Sequence, residues 1–338
     1  MPAPPIFIVG CPRSGTTLLG RMLDRHPALA IFPETQFHLL VYLRRKAFGD
    51  LRDPTKRRRL INEYLQSRPI QAAGLNTAEL AEKLSSEATS YQELFTSILS
   101  YYADSQGKPR YGEKTALHAL FLDTLCEWFP NALILHMVRD PRAAVASLQH
   151  APWASGSVMT NARKWLKLNR AARRFCGRPG YLEVRYEALV TDPVPQLQAI
   201  CSFLGEEYSP CMIVPDRNST ADSAGEMRWR TAVTAARLDV WKKELTADQV
   251  AQIEWALGPE MERFGYQRGA SSPSSASALT VLRGVNDAAV DFAGHVMTRL
   301  PAFLWYRFGV PTRMEKSDYR WGPKGLRKNA KGPSWERA

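Results

Sequence analysis

Residues 10–17 of this 338-residue chain read Gly10-Cys11-Pro12-Arg13-Ser14-Gly15-Thr16-Thr17. They follow a short apolar run, Ile6-Phe7-Ile8-Val9, and precede a stretch in which Leu18, Leu19, Met22 and Leu23 fall at helical spacing. A strand that turns tightly into a helix aims successive backbone N–H groups and the helix N-terminus at one point. That makes an anion site by geometry and by the helix dipole. The loop is close to the nucleotide-binding pattern G-x-x-x-x-G-K-[ST], but Thr16 stands where the lysine belongs. A P-loop nucleotide kinase or NTPase uses that lysine on the β- and γ-phosphates. Its loss argues against ATP chemistry, while Arg13, inside the loop, supplies positive charge from another direction. Mg2+-dependent kinase or NTPase activity stays as an alternative.

CPRSGTT behind a strand resembles the 5′-phosphosulfate loop of sulfotransferases that use 3′-phosphoadenosine 5′-phosphosulfate (PAPS) as donor. The likeness is closest to the tyrosylprotein-type and bacterial branch, and it covers about residues 5–266. Three further segments stand in the family's order. Arg139-Asp-Pro-Arg-Ala-Ala-Val-Ala-Ser147 resembles the segment that binds the donor's 3′-phosphate through Arg139 and Ser147. An arginine fork suits a phosphate; the competing reading pairs Arg139 with Asp140. Phe32-Pro-Glu34-Thr35 resembles the segment holding the catalytic glutamate, and Tyr111-Gly-Glu-Lys114-Thr115 the one whose lysine approaches the bridging oxygen or sulfonate. The resemblance implies that Arg13, Ser14, Gly15, Thr16 and Thr17 cradle the 5′-phosphate. It also implies that Arg13 and Lys114 stabilise developing charge and that Glu34 takes the acceptor's proton. His38 and His118 remain alternative bases. Arg185-Tyr186-Glu187-Ala188-Leu189 is close to a run that supports the family's fold. Arg228, Arg230 and Lys242 match a donor-covering region only loosely. The expected products are a sulfated hydroxyl or amine and 3′-phosphoadenosine 5′-phosphate (PAP), with no metal required.

The elements that must position these residues follow from periodicity. Ile6–Val9, Ala30–Phe32, Ala132–Val138 and Tyr181–Arg185 read as strands. Helices are expected over Leu18–Arg25, 91–103, Leu117–Phe129, the stretch after Arg139, and 193–204 with Gly205 as its stop. Residues 36–109 read as mostly helical and polar, and 237–257 as one or two helices with Thr246 in a capping box. This alternation predicts an α/β fold, a central parallel sheet flanked by helices in a P-loop-like sulfotransferase architecture. The expected organisation is a sulfotransferase domain over 1–268, a Ser-rich linker over 269–278, and a helical extension with a basic tail over 279–338.

Composition sets the outer limits. Apolar residues at 45% and charged residues at 23% exclude wholesale disorder. Five cysteines without a CxxC pair exclude a disulfide framework and a structural zinc site. Lys plus Arg at 45 against 33 acids gives +12, which favours an anionic partner. Residues 311–338 carry eight basic and three acidic side chains, so much of that excess belongs to the tail. Lys56-Arg-Arg-Arg59 lacks interleaved aromatics, so it reads as a solvated helix face and no nucleic acid is expected. Binding of nucleic acid or a membrane surface stays as a further alternative. MPAPPIFIVG lacks the basic start of a signal peptide, and no run reaches a membrane span. The expectation is therefore a cytoplasmic, bacterial enzyme acting on a small-molecule, peptide or saccharide acceptor, with a homodimer left open.

Overall fold

In the computed structural model, residues 3–214 and 235–269 are described. The linker, the extension and the basic tail expected beyond 269 lie outside them, as do Arg228 and Arg230. The described residues fall into two compact units. One holds those up to Ala144 and from Trp165 to Val240; the other holds Val145–Lys164 and those from Trp241 on.

The first unit is built on five parallel strands: β1 (Ile6–Gly10), β2 (Leu29–Phe32), β3 (Arg110–Lys114), β4 (Leu133–Val138) and β5 (Tyr181–Arg185). Their order across the sheet is β2-β3-β1-β4-β5. Ile8 pairs with Lys114 on one side and Leu135 on the other, and Phe32 pairs with Glu113. Every residue of β1 is buried, as the continuous apolar run requires. Alternation splits it between two layers. Ile6 and Ile8 join Leu19, Met22 and Leu23 of α1 (Thr16–Asp24), with Leu197 and Ile200 further along the chain. Phe7 packs against Phe95 and Phe129, with ring centroids 6.1 and 5.6 Å away.

The crossover from β2 to β3 carries α2 (Phe37–Leu40), α3 (Arg45–Phe48), α4 (Pro54–Leu65), α5 (Arg68–Ala72), α6 (Thr77–Glu87) and α7 (Tyr91–Ser105). Asp53 caps α4, accepting from the N–H groups of Thr55 and Lys56, and Ser90 and Glu93 form a capping box on α7. Each cap is worth about 1 kcal/mol. The helix expected over Leu117–Phe129 divides: Ala116–Phe121 is 3-10 and α8 begins at Leu122, ending at Trp128. Then come α9 (Pro141–Gln149), α10 (Val158–Arg173), α11 (Tyr186–Thr191) and α12 (Pro193–Leu204), which stops at left-handed Gly205. His136 on β4 is fully buried between Tyr181 Oη (2.6 Å) and Asn169 Oδ1 (2.8 Å); burial pushes its pKa down to about 4.

β3 is the strand that periodicity does not show. Arg-Tyr-Gly-Glu-Lys is polar, yet it lies between β1 and β2. Its charged side chains are tolerated because each is bonded. Arg110 donates to the carbonyls of Pro4 (3.2 Å) and Leu204 (2.6 Å) and to Glu206 (2.9 Å). Glu113 and Lys114 find partners on the segment that follows β2.

Within the second unit, Trp241–Glu244 forms α13, Ala247–Leu257 forms α14 under the expected Thr246 capping box, and Pro259–Arg263 forms α15. His150 meets Glu244 at 3.1 Å, and the Lys164 ammonium stands 5.2 Å from the Trp153 ring centroid.

Candidate active site

All strands run the same way, so their carboxyl ends share one edge of the sheet. From β1 the chain leaves toward β2, and from β4 toward β5 on the opposite side, so the β1 and β4 ends form a topological switch point, where open α/β sheets bind ligands. Arg13 and Arg139 lie just beyond these two ends, Lys114 ends the neighbouring β3, and Glu34 lies just beyond β2.

The loop after β1 has the backbone that its residue types imply. Gly10 has φ 149°, and a Cβ there would stand 2.4 Å from the Met137 carbonyl oxygen on β4. Gly15 has φ 93°, and its Cβ would stand 2.4 Å from Cδ2 of Tyr186. Both positions therefore require glycine. Ser14 N–H closes the turn on the Cys11 carbonyl at 3.1 Å. Arg13 is left-handed at φ 73°, a conformation that costs a non-glycine residue on the order of 1 kcal/mol. Gly15 is the N-cap of α1; no side chain caps this end, and the first turn carries no acidic residue. Thr16 is buried and Thr17 exposed. The Ser14 hydroxyl is buried without a hydrogen-bond partner among the described residues. An uncapped helix start beside a cationic side chain and an unused hydroxyl suits an anion.

Arg139 follows β4 and crosses to that loop. Its Nη1 donates to the Arg13 carbonyl at 2.9 Å and its Nη2 to the Arg237 carbonyl at 3.3 Å. The guanidinium lies over the Tyr186 ring, 4.3 Å from the centroid, and the residue is 8% exposed. Burial pulls its pKa below the usual guanidinium value, against the opposing pull of Tyr186 and Glu187. Trp165 Nε1 fixes the Arg139 carbonyl at 3.0 Å. The pairing of Arg139 with Asp140 does not form: Asp140 binds Arg142 at 2.7 Å, and Arg139 Nε has no partner among the described residues. Tyr186, read from sequence as part of a fold-supporting run, touches both the Gly15 turn and Arg139. Ser147 lies on α9, and Lys242 on α13; both belong to the second unit.

The second cluster joins the end of β3 to the segment after β2. Lys114 Nζ meets Glu34 Oε2 at 2.9 Å; the lysine side chain is 7% exposed and the glutamate 41%. Gln36 Nε2 donates to the other oxygen, Oε1, at 3.3 Å. The two neighbours of Lys114 hold the same segment. Glu113 Oε2 accepts from Thr35 Oγ1 at 2.8 Å, and Thr115 Oγ1 accepts from the Gln36 N–H at 3.2 Å. From the crossover, Tyr64 Oη donates to the Thr35 carbonyl at 2.9 Å.

Sequence reading missed Thr35, Gln36, Glu113 and Tyr64 as a set, because their partnership crosses 78 positions from Thr35 to Glu113, 79 from Gln36 to Thr115 and 29 from Thr35 to Tyr64. His38 and His118 are both fully buried. His38 lies among the rings of Phe95, Phe121 and Trp128, where burial holds its pKa well below the usual range, reinforced by neighbouring His118. His118 Nδ1 stands 3.2 Å from Glu113 Oε1. Of the three candidate bases, Glu34 alone is open to solvent. No described helix is long and apolar enough to cross a membrane.

Comparison with known proteins places this geometry in context. The model of the sulfotransferase family matches residues 4–210, a span that contains all four strand-end residues. A putative protein-tyrosine sulfotransferase of Caenorhabditis briggsae is 26% identical over 284 residues, covering 79% of this chain and 91% of that one. Protein-tyrosine sulfotransferase 2 of Gallus gallus is 28% identical, covering 80% and 71%. Among solved structures, the sulfotransferase domain of the Synechococcus olefin synthase superposes with a TM-score of 0.58 at 25% identity, covering 79% of this chain and 96% of that one.

Proposed function

The chain belongs to the sulfotransferase family, and from that membership we propose that it transfers the sulfuryl group of PAPS to an acceptor hydroxyl. The observation that carries the reading is the placing of Arg13, Glu34, Lys114 and Arg139 at the carboxyl ends of four adjoining parallel strands. The residues fit a bis-anionic nucleotide donor. The uncapped start of α1 and the unused Ser14 hydroxyl suit its 5′-phosphate, with Gly15, Thr16 and Thr17 in the same turn. The Nε of Arg139, without a partner among the described residues, suits its 3′-phosphate.

In this scheme Glu34 accepts the proton of the acceptor hydroxyl as its oxygen bonds to sulfur, and the bond from sulfur to the donor's phosphate oxygen breaks. Lys114 and Arg13 stabilise the charge that develops on that oxygen and on the sulfonate. Lys114 donates to Glu34 Oε2 at 2.9 Å. Donor binding therefore draws Lys114 onto the leaving oxygen and frees Oε2 to take the proton. In-line alignment of donor and acceptor supplies much of the rest. The acceptor we propose is a tyrosyl hydroxyl of a peptide, supported by relatives named as protein-tyrosine sulfotransferases. Saccharide and small-molecule hydroxyls form the comparison set for a screen.

The test is thermal unfolding with PAP and with ADP, each with and without Mg2+. PAP at about 100 times its Kd adds about 2.7 kcal/mol to stability. A shift with PAP, independent of Mg2+, and a much smaller one with ADP is the expected result. A shift with ADP that needs Mg2+ would return the chain to the kinase reading.

A further inference from the structure

Among the described residues, two that are not glycine have positive φ, and both belong to the candidate site. Arg13 is in the anion loop. The other is Gln36, at φ 50°, two residues beyond Glu34. Strained backbone of this kind persists where its surroundings over-determine it, and it clusters at functional sites. Gln36 is fixed on every side. Its N–H donates to Thr115 Oγ1 at 3.2 Å, and, as the N-cap of α2, its carbonyl accepts from the N–H groups of Leu39 (3.0 Å) and Leu40 (2.9 Å). Its side-chain amide, with the backbone so held, donates to Glu34 Oε1 at 3.3 Å. An asparagine or glycine would take this backbone more readily. The fold accepts the strain with a side chain long enough to reach Glu34.

The two oxygens of Glu34 therefore have different partners: Lys114 holds Oε2 and Gln36 holds Oε1. The mechanism takes Lys114 away when the donor arrives. At that moment a half-exposed carboxylate would lose its one charged tether and regain its rotamers. We propose that Gln36 is a positioning residue for the catalytic glutamate: it retains Glu34 in its reactive orientation after Lys114 has moved to the donor. The inference rests on Glu34 as the base. It adds that the strained backbone at residue 36 exists to aim one amide. Gln36 donates through nitrogen and takes no proton, so the proton from the acceptor goes to Oε2, the oxygen that Lys114 vacates.

The test uses the full chain, with PAP release from PAPS as the readout and either a tyrosine-containing peptide or water alone as the acceptor. Gln36→Gly relieves the strained backbone and removes the amide. It is expected to lower kcat about tenfold through misalignment of the base. KM for PAPS, the Kd of PAP and the melting temperature should not worsen. Gln36→Glu keeps the length but sets a like charge against Glu34, so kcat should fall at least as far. The deciding measurement is the double variant Glu34→Gln with Gln36→Gly. If residue 36 acts through residue 34, the double variant turns over no more slowly than Glu34→Gln alone. Wild-type turnover in Gln36→Gly, or a further tenfold loss in the double variant, overturns the positioning role and leaves the base assignment standing. Wild-type turnover in Glu34→Gln removes the base assignment itself, and this inference with it.

Discussion

Glu34→Gln lowers turnover by ~100- to 10,000-fold, the range that a positioned general base contributes. The amide keeps the shape of the side chain and can still accept from Gln36 through its oxygen, so the pocket is preserved. What it loses is the capacity to take a proton and the ion pair to Lys114, now 2.9 Å long. The Kd of PAP, read by calorimetry, stays within about twofold of wild type, because the role proposed for Glu34 is toward the acceptor rather than the nucleotide. Loss of turnover with donor affinity intact is the signature of an interaction made in the transition state. Unchanged turnover would move the base elsewhere. Neither histidine then offers a ready substitute, since His38 and His118 have no exposed surface.

Arg139→Ala weakens PAP by about 100-fold, the scale of a lost pair of charge-assisted hydrogen bonds to a phosphate. ADP, which lacks the 3′-phosphate, weakens less. Its loss is not zero, because Arg139 Nη1 also holds the Arg13 carbonyl and so braces the loop after β1. The ratio of the two losses is therefore the informative quantity, measured by titrating both ligands against both proteins. Arg139→Lys should not restore PAP binding, since an ammonium cannot both brace Arg13 and fork onto a phosphate. Equal losses for PAP and ADP would make Arg139 a brace and nothing more.

Parts of this arrangement are legible in the sequence for reasons that the structure makes physical. β1, β4 and β5 are readable because strands of a parallel sheet are rich in apolar residues, and the loop between β1 and α1 is readable because its glycines are obligatory. β3 escapes because Arg110, Glu113 and Lys114 are satisfied by groups up to 106 residues away, which no local pattern encodes. The same holds at the site. Glu34 and Lys114 can be named from the motifs they occupy, but their contact is a product of sheet order, which brings β2 beside β3. Gln36 carries no signal at all: a glutamine in left-handed conformation is not marked by its type, and only the backbone shows it. The 3-10 segment Ala116–Phe121 looks helical because its apolar residues fit either period.

The strand order also divides the labour of the sheet edge. Residues 33–109 connect β2 to β3, and these two strands are neighbours. The middle part of this crossover, α4 to α6, can therefore lengthen, shorten or be replaced without moving β1 or β4, whose ends carry Arg13 and Arg139, while Glu34 at its start and Phe95 of α7, packed on Phe7, stay in place. The crossover's tether to the chemistry is its first few residues: Glu34 on Lys114, Thr35 on Glu113 and the Gln36 N–H on Thr115, with the Tyr64 hydroxyl of α4 on the Thr35 carbonyl. A fold wired in this way is an exchangeable cartridge on a fixed engine. New acceptors can be reached by grafting a different crossover, provided that the graft keeps one hydroxyl within reach of residue 35.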